Sequence, residues 1–85
     1  MTETKYDYDL TAKLVEDAVR KEFPRDTIDV SEGYNGRVHL KLVSKRFNGK
    51  SEPEKQAYIW DLLRDELQEK SQGVSLALLY GTDEL

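Results

Sequence analysis

The sequence predicts an α+β fold in which helices cover one face of a three-stranded mixed sheet. Three patterns support this: a helical stripe in residues 10–23, two alternating segments joined by Asn35-Gly36, and a second helical stripe before an apolar run in residues 74–80. A chain of 85 residues has room for one domain. We therefore expect a flexible N-terminal tail, residues 1–8, and one folded domain, residues 9–85.

The first helix is predicted over residues 10–23. Its apolar residues recur at spacings of three and four, which places them along one side of a helix. Pro24 follows and cannot continue the helix, because it lacks an amide N–H and its ring clashes with the preceding turn. The stripe consists of Leu10, Leu14, Val15, Ala18, Val19 and Phe23.

Two strands and a tight turn are predicted next. Residues 27–31 alternate between apolar and polar, and a second alternation starts at Arg37. Alternation with a period of two is typical of a strand that is buried on one face. The Asn35-Gly36 pair favours a hairpin turn, because both residues tolerate positive φ. On the second strand Val38, Leu40 and Leu42 face one side, while Arg37, His39 and Lys41 face the other.

A second helix is predicted from Ser51 to about residue 70. Ser51 can cap its N-terminus, Pro53 fits the first turn, and Glu54 can reach back as in a capping box. A short separate turn near Pro53 is compatible with this pattern, and Trp60 falls on the apolar stripe, which favours core packing. The apolar residues 74–80 then form a strand that is covered by helices and reached by a crossover, parallel to the second strand. Residues 82–85 can form a last helical turn.

Composition limits the function. The chain has 38% apolar and 35% charged residues, a net charge of −4 and no cysteine. Without cysteine there is no disulfide, thiolate nucleophile or sulfur ligand for zinc or iron. No apolar run approaches the roughly 18 residues that a membrane helix needs, and the polar, acidic N-terminus is unlike a signal peptide. We expect a cytoplasmic protein that does not bind membranes.

The sequence offers little for catalysis. It holds one histidine, His39, no evident Ser-His-carboxylate arrangement and no phosphate-binding loop of the GxxxxGK[ST] kind. Its second helix carries carboxylates on the side away from the apolar stripe, where a solvated face is the ordinary explanation. These are Asp61, Asp65, Glu66 and Glu69. We expect a protein that is not an enzyme.

Charge is spread unevenly along the chain. Residues 1–32 hold five basic and nine acidic side chains, residues 33–51 hold five basic and none acidic, and residues 52–85 hold three basic and eight acidic. The basic segment either protects a strand edge from unwanted pairing or meets an anionic partner. For a nucleic-acid partner the candidate contacts are Arg37, Lys41, Lys45, Arg46, Lys50 and Lys55.

An ordered set of motifs resembles the BolA family. Residues 43–50 read VSKRFNGK, a capped helix with Ile59-Trp60 follows, residues 63–67 read LRDEL, and residues 73–78 read GVSLAL. His39, within V-H-L-K-L, matches the His of the family's S-H-F-x-V strand. The resemblance implies an αββααβ(α) class II KH-like fold over residues 9–85. It also implies a monothiol glutaredoxin as partner, with which the family shares or delivers a [2Fe-2S] cluster in iron–sulfur or redox homeostasis.

The same resemblance singles out several positions. His39 is implied as a metal ligand shared across an interface, because a chain without cysteine can only complete a partner's ligand set. Ser75 stands where the family has its C-terminal His, and a neutral hydroxyl is a poor substitute for imidazole on iron. Tyr34 and Asn35 occupy the hairpin loop, where the family has a second His or Cys. We expect Tyr34, Asn35 and Ser75 to contact the partner, and the chain alone to be monomeric without a cofactor.

The alternative function is transcriptional regulation. Some bacterial BolA members bind DNA and regulate morphology and stress responses, and here the basic residues 33–51 and the following helix would make the contacts. The net charge of −4 argues against a general nucleic-acid binder, so this function ranks second.

Overall fold

The computed structural model describes residues 6–85. Two α-helices and three strands follow one another as helix, strand, strand, helix, strand, which is the order expected from the sequence. Short 3-10 turns connect several of them. No helix within this described range is long and apolar enough to cross a membrane. The main elements are α1 (Tyr8–Glu22), β1 (Thr27–Glu32), β2 (Val38–Val43), α2 (Glu52–Leu67) and β3 (Val74–Tyr80).

The strands form a mixed sheet in the order β1-β2-β3. Strand β1 pairs with β2 in antiparallel orientation, with Val30 opposite Leu40. Strand β3 runs parallel to β2 on its other side, with Ala77 also opposite Leu40. This register puts Leu40, Leu42, Ala77 and Leu79 on one face, as the alternation of β2 predicted. Leu76 and Leu78 of β3 lie on the other face and are 41% exposed, so helices cover β3 on one face only.

Both helices pack on that apolar face. Val15 and Val19 of α1 and Ile59 and Leu63 of α2 have no exposed surface. Each such side chain contributes about 1.5–3 kcal/mol relative to an exposed one. The α+β architecture with a three-stranded mixed sheet is therefore confirmed. Trp60 is half-buried against the same core, which agrees with a packing role.

Two local features predicted from the sequence are observed: the Asn35-Gly36 turn and the capping box of α2. Asn35 (φ 60°, ψ 28°) and Gly36 (φ 75°) both adopt left-handed conformations, and the amide of Arg37 donates to the carbonyl of Tyr34 at 3.1 Å. This is the type I′ geometry that suits a hairpin. At the start of α2, Ser51 and Glu54 form a reciprocal capping box, with N–O distances of 3.3 and 2.8 Å.

The ends of the helices differ from the expectation. Helix α1 begins at Tyr8 rather than residue 10, because Asp7 accepts a hydrogen bond from the amide of Leu10 and caps it. Tyr6–Tyr8 thus belong to the folded part, while residues 1–5 of the predicted tail lie outside the described range. Helix α2 ends at Leu67, where Gln68 turns to φ 57°. One 3-10 turn, Lys45–Phe47, stands between β2 and α2.

Candidate partner-binding face

The face of the sheet that does not contact the two helices is exposed at its centre, and we call it the open face. Leu76 and Leu78 of β3 each keep 41% of their surface accessible there, and they line a groove of about 180 Å³ together with His39 and Lys41. By register the open face consists of Asp29, Ser31, His39, Lys41, Val43, Leu76, Leu78 and Tyr80.

His39 lies in the middle strand of this face. Its partners in register are Ser31 of β1 and Leu76 of β3. The imidazole packs directly against Gly33, because a Cβ at that glycine would clash with the ring atoms of His39. Gly33 therefore makes room for the ring and fixes its position at the hairpin end of the sheet.

Ser75 lies beside His39 because β3 contains an irregularity at this point. Val38 pairs with Val74 and His39 pairs with Leu76, so Ser75 has no partner residue in β2. This is the arrangement of a β-bulge, which redirects side chains locally. Ser75 is exposed. No sequence signal at this position predicted the bulge.

The hairpin tip lies at the same end of the sheet. Tyr34 is 85% exposed, and the carbonyl of Asn35 accepts a hydrogen bond from the amide of Tyr6 at 3.3 Å. Since the tip leads directly into Val38, it adjoins His39 and Ser75. The four residues that the sequence indicated for partner binding are thus brought to one end of the sheet.

These residues do not fit an iron–sulfur cluster held by this chain alone. Their donor set is one imidazole and neutral hydroxyls, whereas a [2Fe-2S] cluster takes about four thiolate or imidazole ligands. Within residues 6–85 no group of three or more His, Cys, Asp or Glu side chains is placed to hold a metal ion. His39 can supply a single ligand to a set completed elsewhere.

The prediction for Lys55 is wrong. The sequence suggested it as a contact for nucleic acid, but its side chain is 2% exposed. Its ammonium group donates to the carbonyl of Leu79 at 3.0 Å and to a carboxylate oxygen of Glu84 at 2.8 Å, and it lies 3.3 Å from Glu52. The bond to Glu84 raises the pKa of Lys55. Lys55 is therefore part of the folded core and does not face a partner.

Arg46 is partly engaged within the protein. Its guanidinium lies over the ring of Phe23 at 4.5 Å and 5.5 Å from the ring centre of Tyr58. It donates to the carbonyl of Glu22 at 2.6 Å and to the hydroxyl of Tyr58 at 2.8 Å. The side chain is still 47% exposed, so its role as a contact for nucleic acid stays a prediction.

The other basic candidates divide into two groups. Arg37 is half-buried, with its guanidinium 5.1 Å from the ring centre of Tyr6. Lys41, Lys45 and Lys50 are exposed, and Lys41 lies on the open face near Tyr80. With Arg46, four of the six predicted contacts are therefore exposed, and three of these carry a lysine ammonium that is not bonded to a carboxylate in the described residues.

Two side chains of α2 cover the outer edge of β3, which the sequence analysis missed. Gln56 donates to the carbonyl of Ala77 at 2.9 Å, and Lys55 donates to that of Leu79. The indole of Trp60 in turn donates to Gln56 at 2.8 Å. Covering backbone groups in this way protects an apolar edge strand from pairing with another chain.

The predicted solvent face of α2 is also observed. Asp61, Asp65 and Glu66 are exposed, and with Glu22 they line an open groove of about 410 Å³ beside α1. Glu69 is exposed in the 3-10 turn that follows α2.

Comparison with known proteins adds no functional assignment: no protein-family model, no curated protein and no solved structure matches the chain. The geometry of the open face and the motif resemblance are therefore the basis for a function.

Proposed function

We propose that this chain is a non-enzymatic, BolA-like adaptor that docks a monothiol glutaredoxin on its open face in iron–sulfur or redox homeostasis. The observation that carries the proposal is that His39, Ser75 and the hairpin tip lie at the same end of the sheet, next to the exposed Leu76 and Leu78 of the open face. The resemblance implied these same positions from motifs that are distant from one another in the sequence.

The element order supports the finer fold assignment. A class II KH-like αββααβ(α) chain has a short helix between its second strand and its long helix. Here the 3-10 turn Lys45–Phe47 occupies that place, and a further 3-10 turn, Thr82–Glu84, follows the last strand. We propose that these two turns correspond to the short helices of the family.

The chemistry of the open face suits a protein partner. Leu76 and Leu78 provide an exposed apolar centre, while Lys41, Asp29 and Ser31 surround it with polar groups. An apolar centre with a polar rim is the usual anatomy of a protein interface. The outer edge of β3 is covered by α2, so a partner meets the face of the sheet and not that edge.

Docking on this surface depends on shape and contact more than on ligation. His39 can contribute one nitrogen ligand, and glutaredoxin would provide the remaining ligands of any cluster at the interface. Apo-glutaredoxin is consequently expected to bind as well, because the apolar contacts do not require the cluster.

The test is a titration of isotope-labelled chain with purified monothiol glutaredoxin, with and without a [2Fe-2S] cluster, followed by amide NMR shifts. Shifts should concentrate in β2, β3 and the hairpin tip. Leu78→Asp should weaken binding at least about tenfold, which corresponds to roughly 1.4 kcal/mol. The matched control is Leu10→Asp, since Leu10 is 49% exposed on α1. Absence of shifts under both conditions would refute the proposal.

A second variant tests the site for ligation. Ser75→His places an imidazole in the bulge beside His39. We expect the mixed complex to hold its cluster longer with this variant than with the wild type, as read from the visible absorption of the cluster. His39→Ala in the Ser75→His background should remove that gain. An unchanged cluster lifetime in both variants would mean that ligation does not occur at this end of the sheet.

DNA-binding regulation is the second candidate. It is favoured by the exposure of Lys41, Lys45 and Lys50 within the acid-free segment 33–51. Three phosphate contacts predict that log K falls by about 2.7 per log unit of salt. Lys45→Gln and Lys50→Gln should each lower that slope by about 0.9, whereas Lys13→Gln on α1 should not. A flat salt response or no binding to duplex DNA at low salt would exclude this candidate.

A further inference from the structure

The C-terminal 3-10 turn, Thr82–Glu84, is fastened to the turn that precedes α2. We call it the strap. Asn48 donates through its side-chain amide to the hydroxyl of Thr82 at 3.0 Å, and the amide of Asp83 donates to the side-chain oxygen of Asn48 at 3.2 Å. Gly81 precedes the strap, and a Cβ there would lie 3.0 Å from the Cα of Asn48. The strap thus sits in close contact with the turn.

Both carboxylates of the strap accept hydrogen bonds from donors of the domain. Glu84 accepts from the ammonium of Lys55 at 2.8 Å and from the amide of Gly81 at 2.7 Å. Asp83 accepts from the amide of Gly49 at 3.3 Å. Three donors therefore bond to the two adjacent carboxylates of the strap: the ammonium of Lys55 and the amides of Gly49 and Gly81.

Lys55 makes this place favourable for an anion. Its side chain is 2% exposed, whereas that of Glu84 is 40% exposed. A buried ammonium group is costly to leave without a countercharge. When the strap moves away, Lys55 keeps Glu52 at 3.3 Å and the carbonyl of Leu79 at 3.0 Å, but it loses its nearest carboxylate. An external anion can then take that position.

We propose that Lys55 and the amides of Gly49 and Gly81 form a binding site for a phosphate group, which the carboxylates of Asp83 and Glu84 occupy while the strap is closed. The charge of phosphate, about −1.5 to −2, is close to that of the two carboxylates that it would replace. Lys50, exposed beside Gly49, adds positive charge at the opening. This inference is independent of the open face and of the glutaredoxin proposal.

The first test removes the carboxylate of Glu84 from the site. Glu84→Gln keeps the size of the side chain but not its charge. Inorganic phosphate is titrated into this variant and the wild type at an ionic strength held constant with chloride. We expect phosphate to bind at least about tenfold more tightly than to the wild type, because the competing closed state is weakened. Amide shifts at Gly49 and Gly81 should report the binding. Glu66→Gln is the matched control, since it breaks the surface pair with Lys21 and should leave phosphate affinity unchanged.

A second variant opens the strap without changing any charge. Gly81→Ala introduces a Cβ that clashes with the side-chain oxygens of Asn48 and Asp83. These two side chains must shift, which weakens the hydrogen bonds that fasten the strap. Its phosphate affinity should rise as in Glu84→Gln, and phosphate should raise its melting temperature through mass action. The double variant Lys55→Met with Glu84→Gln removes the buried pair without leaving an isolated charge, and it should show no gain.

The source of the phosphate is distinguished by parallel titrations. Inorganic phosphate is compared with a single-stranded oligonucleotide at equal phosphate concentration. If the opened variants gain affinity for inorganic phosphate alone, the site takes a small or terminal phosphate. If they gain affinity for both ligands, the site takes the nucleic-acid backbone. Equal affinities of wild type, Glu84→Gln and Gly81→Ala would overturn the proposal, and so would a gain that persists in the double variant.

Discussion

The guanidinium of Arg46 lies over the ring of Phe23, with 4.5 Å between its central carbon and the ring centre. The same group bonds the carbonyl of Glu22, the last residue of α1, and the hydroxyl of Tyr58 in α2. One side chain of the turn after β2 thus joins the C-terminal end of α1 to the middle of α2. These contacts use two of the N–H groups of Arg46 within the domain and leave the side chain partly exposed.

Arg46→Lys should therefore destabilise the domain by about 1 kcal/mol, through loss of the stacked guanidinium and its forked hydrogen bonds. The figure is modest because the side chain is 47% exposed. Urea unfolding followed by circular dichroism measures the change. Lys45→Gln, an exposed neighbour, should stay within about 0.5 kcal/mol of the wild type. Equal stabilities of the two variants would contradict the joining role of Arg46.

Phe47→Ala should cost on the order of 3 kcal/mol, because Phe47 is 2% exposed and its removal leaves a cavity. Its ring lies 5.5 Å from that of Phe23. Tyr34→Ala is the control, since Tyr34 is an aromatic residue at an exposed turn. Thermal unfolding should separate the two variants clearly. A Phe47→Ala melting temperature equal to that of the wild type would show that the turn is not anchored by this ring.

Gln68→Gly should stabilise the domain by about 1 kcal/mol, because Gln68 has φ 57° and ψ −131°, a region that favours glycine and strains other residues. Gln72→Gly is the matched control: its φ is not positive, so the substitution adds only flexibility to the unfolded chain and should be destabilising. Chemical denaturation of both variants provides the comparison. A loss of stability in Gln68→Gly would argue against the strained geometry.

The pair of Lys55 and Glu84 should make stability depend on pH at both extremes. The amide of Gly81, and then Lys55, lower the pKa of Glu84 below its ordinary value of 4.5. Its contribution is thus full above that value and is lost as pH falls through the folded pKa. The bond to Glu84 raises the pKa of Lys55 above its ordinary 10.5, so that contribution is lost as pH rises through the folded pKa.

Unfolding free energies measured from acid to alkaline pH should consequently form a plateau with an acid and an alkaline slope. Glu84→Gln should lower that plateau and remove the part of the acid slope that comes from Glu84. In the double variant Lys55→Met with Glu84→Gln, the part of the acid slope and of the alkaline slope that comes from this pair should be absent. Glu66→Gln, which affects only the exposed pair with Lys21, should keep the shape of the wild-type profile. A wild-type profile that matches the double variant throughout would mean that the pair contributes nothing.

Several elements were determined by local patterns in the sequence. The stripe of α1, the left-handed Asn35-Gly36 turn and the capping box of Ser51 and Glu54 all depend on residues within a few positions of one another. Alternation within β2 assigned one face of the sheet to the core and the other to solvent. Such features can be predicted because the backbone period relates neighbouring residues directly.

Only the tertiary structure decided which charged and polar groups are available to a partner. Lys55 is buried because Glu84, 29 residues later, is brought beside it, and Arg46 is engaged because Phe23 and Tyr58 meet around it. Ser75 comes beside His39 through a bulge between strands that are far apart in the chain. These outcomes depend on long-range packing, since the environment of an ionisable side chain is set by whatever the fold places around it and not by its neighbours in sequence.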